Sequence, residues 1–207
     1  MLERGRLITI EGVDGAGKTT LAKALQAALL DRGIDTRLLR EPGGVRASER
    51  IRELVTDPAL SIGPRAEALL YAAARAQLVE EALEPALRNG LWVVLDRFID
   101  SSLAYQGVGR ELGVSAVRHI NEFATGNLIA DRTLLLVIDP AAATARSRSR
   151  GEPPDRLEQE DDEFRTAVTK AYLELAYAEP DRIALIDASQ PPELVLESSL
   201  AALGDLT

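Results

Sequence analysis

The sequence predicts an α/β protein with a doubly wound, parallel five-stranded sheet and helices on both faces. Two observations carry this prediction. Short apolar runs alternate with longer segments of helical character, and a glycine-rich turn separates the first run from the first helical segment. In such folds, ligands bind beyond the carboxyl ends of the strands. The length of 207 residues suits one compact domain, so we expect no boundary within 1–207.

Five short apolar runs have the length and composition of buried strands. The first is RLITIE, and the third, LWVVLD, ends in a carboxylate. Their separation by helical segments predicts parallel pairing with right-handed crossovers. The predicted strands cover residues 6–11, 36–40, 91–96, 133–139 and 183–187.

The segments between these runs are rich in residues that favour helices. KTTLAKALQAALL, which follows the glycine-rich turn, shows this composition clearly. The predicted helices cover residues 18–32, 47–57, 65–88, 115–125, 141–150, 161–178 and 192–203.

Composition limits the chemistry available to the chain. It has no cysteine and a single histidine, which excludes a disulfide framework, a thiolate nucleophile and a histidine metal cluster. The net charge of −9 argues against a nucleic-acid partner, because a phosphate backbone would be repelled. No apolar run reaches the roughly 18 residues of a membrane span, and the first strand begins too early for a signal peptide. We therefore expect a cytoplasmic protein with no membrane partner.

Residues 12–19, GVDGAGKT, fit the phosphate-loop pattern G-x-x-x-x-G-K-[ST]. The pattern lies between a predicted strand and a predicted helix, which is the context it requires. Glycines let backbone N–H groups point at a phosphate, Lys18 can reach the β- and γ-phosphates, and Thr19 offers a hydroxyl to Mg²⁺. The predicted nucleotide-binding residues are Gly12, Val13, Asp14, Gly15, Ala16, Gly17, Lys18, Thr19 and Thr20.

Asp96 and Arg97 follow the apolar run LWVVL at the end of the third predicted strand. The carboxylate can act with Thr19 around Mg²⁺, and the guanidinium can clamp an anionic acceptor. A motor-type ATPase usually has glutamate after the aspartate, and a GTPase needs an Asn-Lys-x-Asp segment that this sequence lacks. The pair therefore favours transfer from one phosphate to another.

Five motifs occur together in the order and spacing of bacterial thymidylate kinases. They are GVDGAGKTT, REPGG, LYAAARAQ, DRFIDSSLAYQG and RSRGEPPDRLEQED. Each of the smaller motifs is weak alone, but five in register are specific. The chain thus resembles this family of P-loop nucleoside monophosphate kinases over nearly its whole length. Val45 and Ala74 depart from common relatives, at positions without a proposed role.

The resemblance implies contacts to the sugar and base of an acceptor, dTMP. Asp14 matches the family carboxylate near the 3′-hydroxyl, and Tyr105 matches the ring that crowds the 2′ position. Tyr71 lies where relatives usually have a phenylalanine that stacks on thymine. Ser102 and Gln106 match polar contacts to the base.

The resemblance also implies basic groups around the acceptor monophosphate, namely Arg40, Arg52, Arg75 and Arg97. Forked guanidinium groups suit this role because they replace the water around a dianion and fix its direction. Glu41, in the turn after the second strand, has three open interpretations. It can orient Arg97, bind near the metal through water, or only stabilise the turn.

An arginine-rich segment at about 146–158 resembles the mobile lid of the family. Gly15 gives the phosphate loop no arginine, and the resemblance then implies that lid arginines meet the transferring phosphoryl group. Arg150 and Arg156 match the lid pattern best, with Arg148 next. The Pro-Pro pair lengthens this lid slightly, so the guanidinium that reaches the phosphate stays open. A closed lid would exclude water from the reaction.

Together, residues and resemblance predict a kinase that transfers the γ-phosphoryl group of ATP to dTMP, giving dTDP and ADP in dTTP synthesis. Two alternatives stay open: a deoxynucleoside kinase, for which the acceptor arginines would be unexpected, and a non-catalytic nucleotide-binding module. The resemblance also implies a homodimer, in which the helix over 66–87 supplies an interface or else belongs to the core. The predicted catalytic residues are Lys18, Asp96, Arg97, Arg150 and Arg156.

Overall fold

A computed structural model describes residues 3–149 and 156–206 of the chain. Five parallel strands form one sheet in the order β2-β3-β1-β4-β5. Every residue of the central strand β1 is buried, as expected for a parallel sheet that is covered on both faces. The strands are β1 (Leu7–Glu11), β2 (Thr36–Arg40), β3 (Trp92–Asp96), β4 (Arg132–Val137) and β5 (Ile183–Asp187).

Helices cover both faces of the sheet, which confirms the predicted fold class. Ile8 and Ile10 of β1 pack with one set of helices, whereas Leu7 packs toward the opposite face. In the described part of the chain, no helix is long and apolar enough to cross a membrane. The helices are α1 (Lys18–Asp31), α2 (Arg46–Thr56), α3 (Pro64–Leu78), α4 (Glu84–Arg88), α5 (Ile99–Ser102), α6 (Val114–Thr125), α7 (Pro140–Ser149), α8 (Asp162–Ala178) and α9 (Pro192–Ala201).

The predicted helix over 65–88 is helical throughout but not uniform. A π-helical turn, Val79–Leu83, separates α3 from α4. Pro85 has no N–H to donate and its ring displaces the preceding turn, which accounts for a wider turn at this point.

The segment after β3 is helical, although the sequence had predicted no helix there. It consists of α5 and a second π-helical turn, Leu103–Gly109. Serines and glycines give this segment weak helix propensity. Its helical form depends on tertiary packing, because Leu103 and Ala104 are fully buried in the core cluster that also contains α8 residues.

Candidate active site

The carboxyl ends of β1, β2 and β3 open into a cavity of about 820 Å³. The strand register aligns Ile10 and Arg40 with Asp96, so the residues that follow these strands lie side by side. Gly12 and Val13 begin the loop just before this lining. The predicted site residues that line the cavity are Asp14, Gly15, Ala16, Gly17, Lys18, Thr19, Thr20, Arg40, Glu41, Arg52, Tyr71, Arg75, Asp96, Arg97, Ser102, Tyr105 and Gln106.

The phosphate loop depends on its glycines at two positions. Gly17 has φ +99° immediately before α1, a conformation that side chains disfavour. Gly15 has φ +84°, and a Cβ there would lie 2.0 Å from the Ala143 carbonyl oxygen of α7. The packing of α7 therefore explains why no arginine extends from this loop position.

The ammonium group of Lys18 is held within the phosphate loop. Its Nζ donates to the Val13 carbonyl at 2.9 Å and lies 3.6 Å from the Asp14 carboxylate. Burial and the positive charge of Arg97 lower the pKa of Lys18, although nearby carboxylates oppose this effect. A phosphate would offer Lys18 a stronger, charge-assisted partner than the carbonyl does.

Thr19 and Asp96 are brought together as the metal prediction requires. The Thr19 hydroxyl donates to Asp96 Oδ2 at 2.8 Å. Hydroxyl and carboxylate oxygens are hard ligands that suit Mg²⁺. Within residues 3–149 and 156–206, no group of three or more acidic or histidine side chains could hold a metal alone. These two residues therefore fit a Mg²⁺ that takes its other ligands from phosphate and water.

Arg97 occupies an unusual backbone conformation between the loop and the rest of the cavity. Its φ of +69° is rare for a residue with a side chain, and such conformations cluster at functional sites. Its guanidinium donates to Asp14 at 2.5 Å and to the Gly12 carbonyl at 3.1 Å, and lies 5.2 Å from the ring centroid of Tyr105. These contacts direct the guanidinium toward the phosphate loop.

Asp14 is the ionised partner of this arginine. Burial alone would raise the pKa of Asp14, but the charges of Arg97 and Lys18 and hydrogen bonds from Arg97 and Tyr105 hold it well below its usual range. The Tyr105 hydroxyl donates to the second oxygen of Asp14 at 3.3 Å. The structure thus places Asp14 and Tyr105, the two predicted sugar contacts, in one cluster with Arg97.

Arg75 is more deeply buried than the other arginines predicted to surround the acceptor phosphate, and is 2% exposed. A guanidinium has five N–H donors, and four of those of Arg75 donate hydrogen bonds to protein groups. The acceptors are Glu41 for Nε, Ser102 and Asn121 for Nη1, and the Phe98 carbonyl for Nη2, which also lies 2.6 Å from the Glu41 carboxylate. Arg75 can reach an acceptor only by exchanging one of them.

Glu41 pairs with Arg75 rather than with Arg97. Its Oε2 accepts from Arg75 Nε at 2.8 Å, so the interpretation that Glu41 orients Arg97 is wrong. Burial raises the pKa of Glu41, and the charge and hydrogen bond of Arg75 oppose this rise. Arg40 and Arg52 each donate to the carbonyl of Pro42 at 3.0 Å, which ties both predicted phosphate contacts to the same turn.

The predicted base contacts form another part of the cavity wall. Gln106 is 2% exposed and its Nε2 donates to Glu67 at 2.8 Å. Ser102 is buried beside Arg75. Tyr71, one helical turn before Arg75 on α3, is partly exposed to the cavity.

The structure describes the side chain of Arg156 among the predicted lid arginines. Arg150 and the side chain of Arg148 lie outside the described residues. Arg156 Nη2 lies 2.6 Å from the fully buried Glu67, and its Nε donates to the Val55 carbonyl at 3.0 Å. The structure therefore brings Arg156 to Glu67 and not to the phosphate loop, so a role at the transferring phosphate would require it to leave this pair.

A buried polar cluster beside Arg97 was missed from the sequence. It consists of Glu11, Ser101 and Tyr172, which are linked by hydrogen bonds. One signal was available, since Glu11 is the only charged residue of β1 and directly precedes the phosphate loop. Tyr172 lies on α8, outside every motif, and gave no signal.

The first strand of the parallel sheet leads into a phosphate loop, and this loop faces arginines and tyrosines across one cavity. These features define a nucleotide kinase of the phosphate-loop class. The family model for thymidylate kinase matches residues 10–198. The chain belongs to the thymidylate kinase family.

Curated relatives named thymidylate kinase match along almost all of the chain. The one from Deinococcus radiodurans is 46% identical over 204 residues, which cover 99% of this chain and 98% of the relative. The one from Caldanaerobacter subterraneus subsp. tengcongensis is 48% identical over 187 residues, covering 90% and 89%. The one from Lactobacillus delbrueckii subsp. bulgaricus is 47% identical over 202 residues, covering 94% of each chain.

Proposed function

We propose that this chain transfers the γ-phosphoryl group of ATP to dTMP and forms dTDP and ADP, a step in dTTP synthesis. The observation that carries the proposal is the single cavity that joins the phosphate loop to Arg97 and to the tyrosines Tyr71 and Tyr105. A triphosphate and an aromatic nucleotide can lie end to end in this space. Membership of the thymidylate kinase family supports the choice of substrates.

On the donor side, the loop N–H groups and Lys18 bind the β- and γ-phosphates. Thr19 and Asp96 would hold Mg²⁺, which, when bound, neutralises charge on these phosphates. Gly15 supplies no side chain, and Arg156 is engaged by Glu67. Arg150, which matches the lid pattern of the family, is our proposed donor from the lid to the transferring group.

On the acceptor side, Arg97 binds the 5′-phosphate of dTMP and holds it in line with the donor. The acceptor oxygen needs no strong general base, because a phosphate monoester has its second pKa at about 6 and is largely dianionic at neutral pH. Positioning and charge neutralisation then supply the rate. Asp14 keeps Arg97 directed at this position before the substrate arrives.

The remaining contacts select the nucleoside. Tyr71 stacks on the base, Ser102 and Gln106 bind its polar edge, and Tyr105 crowds the 2′ position of the sugar. All four side chains line the same cavity as Arg97, which supports this division of roles.

We also propose a homodimer in the cytoplasm, the compartment where ATP and dTMP are metabolites. Leu69 of α3 is 56% exposed and Phe123 of α6 is 92% exposed, and these helices pack against each other. Large apolar side chains on neighbouring helices favour an interface between copies. Sedimentation of wild type and Phe123→Glu tests this proposal, which predicts a dimer for the first and a monomer for the second.

A coupled assay of ADP release tests the activity, with dTMP, dUMP, UMP, dCMP and thymidine offered in parallel. We expect dTMP to be the best acceptor and thymidine to be nearly inert, because thymidine lacks the phosphate that Arg97 binds. Equal rates with thymidine and dTMP would favour the deoxynucleoside kinase alternative. No ADP release with any acceptor would favour the non-catalytic module.

A further inference from the structure

Glu11 is a buried carboxylate to which the proposed reaction gives no role. It ends β1, directly before the phosphate loop, and is fully buried. The hydrogen bonds that the structure gives its two oxygens come from neutral donors. Oε1 accepts from the backbone N–H groups of Phe98 at 2.7 Å and Ser101 at 3.3 Å, and Oε2 accepts from the hydroxyls of Ser101 at 2.6 Å and Tyr172 at 3.0 Å. Burying such a charge is unfavourable unless these bonds satisfy it.

The backbone bonds hold the chain on both sides of Arg97. The Arg97 N–H donates to the Ile10 carbonyl at 3.0 Å, and the next N–H, that of Phe98, donates to the Glu11 side chain. Strand β1 therefore holds the turn on both sides of the strained φ of Arg97. The backbone carbonyl of Ile10 binds the N–H before it, and the carboxylate of Glu11 binds the N–H after it. A strained conformation persists only where its surroundings determine it in this way.

The hydroxyl bonds hold the side chain of Arg97. Its Nη1 donates to Ser101 Oγ at 3.1 Å and to the Tyr172 hydroxyl oxygen at 3.3 Å. These are the same two hydroxyls that reach Glu11. Each hydroxyl can accept from the guanidinium and donate to the carboxylate at once, so a chain of polarised bonds joins Arg97 to Glu11.

We propose that Glu11 is a positioning residue that fixes both the backbone turn and the guanidinium of Arg97, and thereby sets the affinity for the anionic acceptor. The identity of that acceptor as dTMP rests on the proposed function. The position of Arg97 does not, because it follows from contacts within the chain.

Glu11→Gln tests the proposal with a side chain of almost the same shape. Its carbonyl can still accept from the Phe98 N–H, but its amide faces the two hydroxyls as a donor, which forces their hydrogens toward Arg97. We expect the Kd for dTMP, measured by calorimetry, and its KM to rise about tenfold, in keeping with the loss of a charge-assisted network. The KM for ATP should rise less than the KM for dTMP, because Lys18 is held by the Val13 carbonyl rather than by Arg97.

Thr9→Val is the matched control. Thr9 lies on the same face of β1, is fully buried, and bonds to the Thr133 hydroxyl at 2.7 Å. This variant also removes a buried polar contact from the strand, but away from Arg97, so both KM values should match wild type. If Thr9→Val raised the KM for dTMP as much as Glu11→Gln does, Glu11 would have only a structural role.

Tyr172→Phe and Ser101→Ala provide the same test if Glu11→Gln does not fold. Each removes one hydroxyl link and leaves the carboxylate in place, so we expect a smaller rise in the Kd for dTMP from each. Unchanged values in both would overturn the proposal.

A crystal structure of Glu11→Gln, or of Tyr172→Phe in its place, separates this proposal from the proposed function. A displaced guanidinium supports positioning even if wild type fails to phosphorylate dTMP, and an Arg97 that keeps its bond to Asp14 refutes it even if wild type is fully active.

Discussion

Arg97 and Arg75 both belong to the proposed acceptor region, but the structure surrounds them in different ways. The side chain of Arg97 is 16% exposed and is held by Asp14, whose own side chain is 35% exposed to the cavity. Arg75 and Glu41 form a pair in which neither side chain is more than 4% exposed. Arg97 therefore keeps an exposed route to a ligand, whereas Arg75 is enclosed by protein groups. Two arginines that match motifs of the same family therefore need not have the same role.

The largest effect on turnover should come from Arg97→Ala. We expect kcat/KM for dTMP to fall about 10²- to 10³-fold, as is typical when a group that binds developing charge is removed. The free energy of unfolding should fall less than in Arg75→Ala. Asp14 is 35% exposed and stays 3.6 Å from Lys18, and the buried Glu11 keeps its hydrogen bonds from neutral protein groups. Steady-state kinetics and urea unfolding check both parts, and a large loss of stability would assign Arg97 to the scaffold.

Arg75→Ala should show the reverse pattern. Removing one member of a buried ion pair typically costs about 3 to 5 kcal/mol, here because Glu41 would be left without its partner. Urea unfolding measures this loss. The double variant Arg75→Met with Glu41→Leu should recover much of it, since no buried charge remains. If Arg75→Ala lost activity but no stability, the contrast between the two arginines would be wrong.

The Arg97 network should titrate near neutral pH. Burial, assisted by the negative charge of Asp100, raises the pKa of Glu11 to about 7. Arg97 and Lys18 also face this carboxyl, as does the Tyr172 hydroxyl, whose pKa burial raises. Below about pH 7 Glu11 gains a proton and loses acceptor capacity toward the hydroxyls.

As the pH falls from 8 to 6, the KM for dTMP should therefore rise more steeply in wild type than in Glu11→Gln, which has nothing to titrate at this position. The phosphate of dTMP also titrates in this range, but its second pKa affects the KM of both proteins equally, so the difference between them reports on Glu11. Parallel pH profiles would show that Glu11 does not change its charge in this range.

The smallest effect concerns Tyr105, whose ring lies beside the Arg97 guanidinium. Tyr105→Ala should narrow the rate difference between dUMP and UMP by about tenfold, because a steric block on the 2′ position is lost. Tyr105→Phe keeps the ring and should keep this difference. An unchanged ratio of the dUMP and UMP rates in the alanine variant would indicate that Tyr105 serves only to pack the core with Phe164 and Tyr172.

The sequence by itself determined the fold class and the residues of the proposed donor half of the site. Both are encoded locally: apolar runs alternate with helical segments, and the phosphate loop is a contiguous set of residues between a strand and a helix. Lys18 and Thr19 need no distant residue to be recognised, although the contact of Thr19 with Asp96 joins the start of α1 to the end of β3.

Only the tertiary structure decided the contacts of the proposed acceptor half. Its residues come from separate strands and helices, so their partners depend on packing that no local pattern encodes. The helix after β3 forms despite weak propensity because it is buried. Packing also brings Arg156 to Glu67 and places Glu41 beside Arg75. Glu11 reaches Arg97 through Tyr172, a residue 161 positions away along the chain. Such contacts exist only once the strands and helices have assembled, because burial gives each polar group few partners and makes their choice specific.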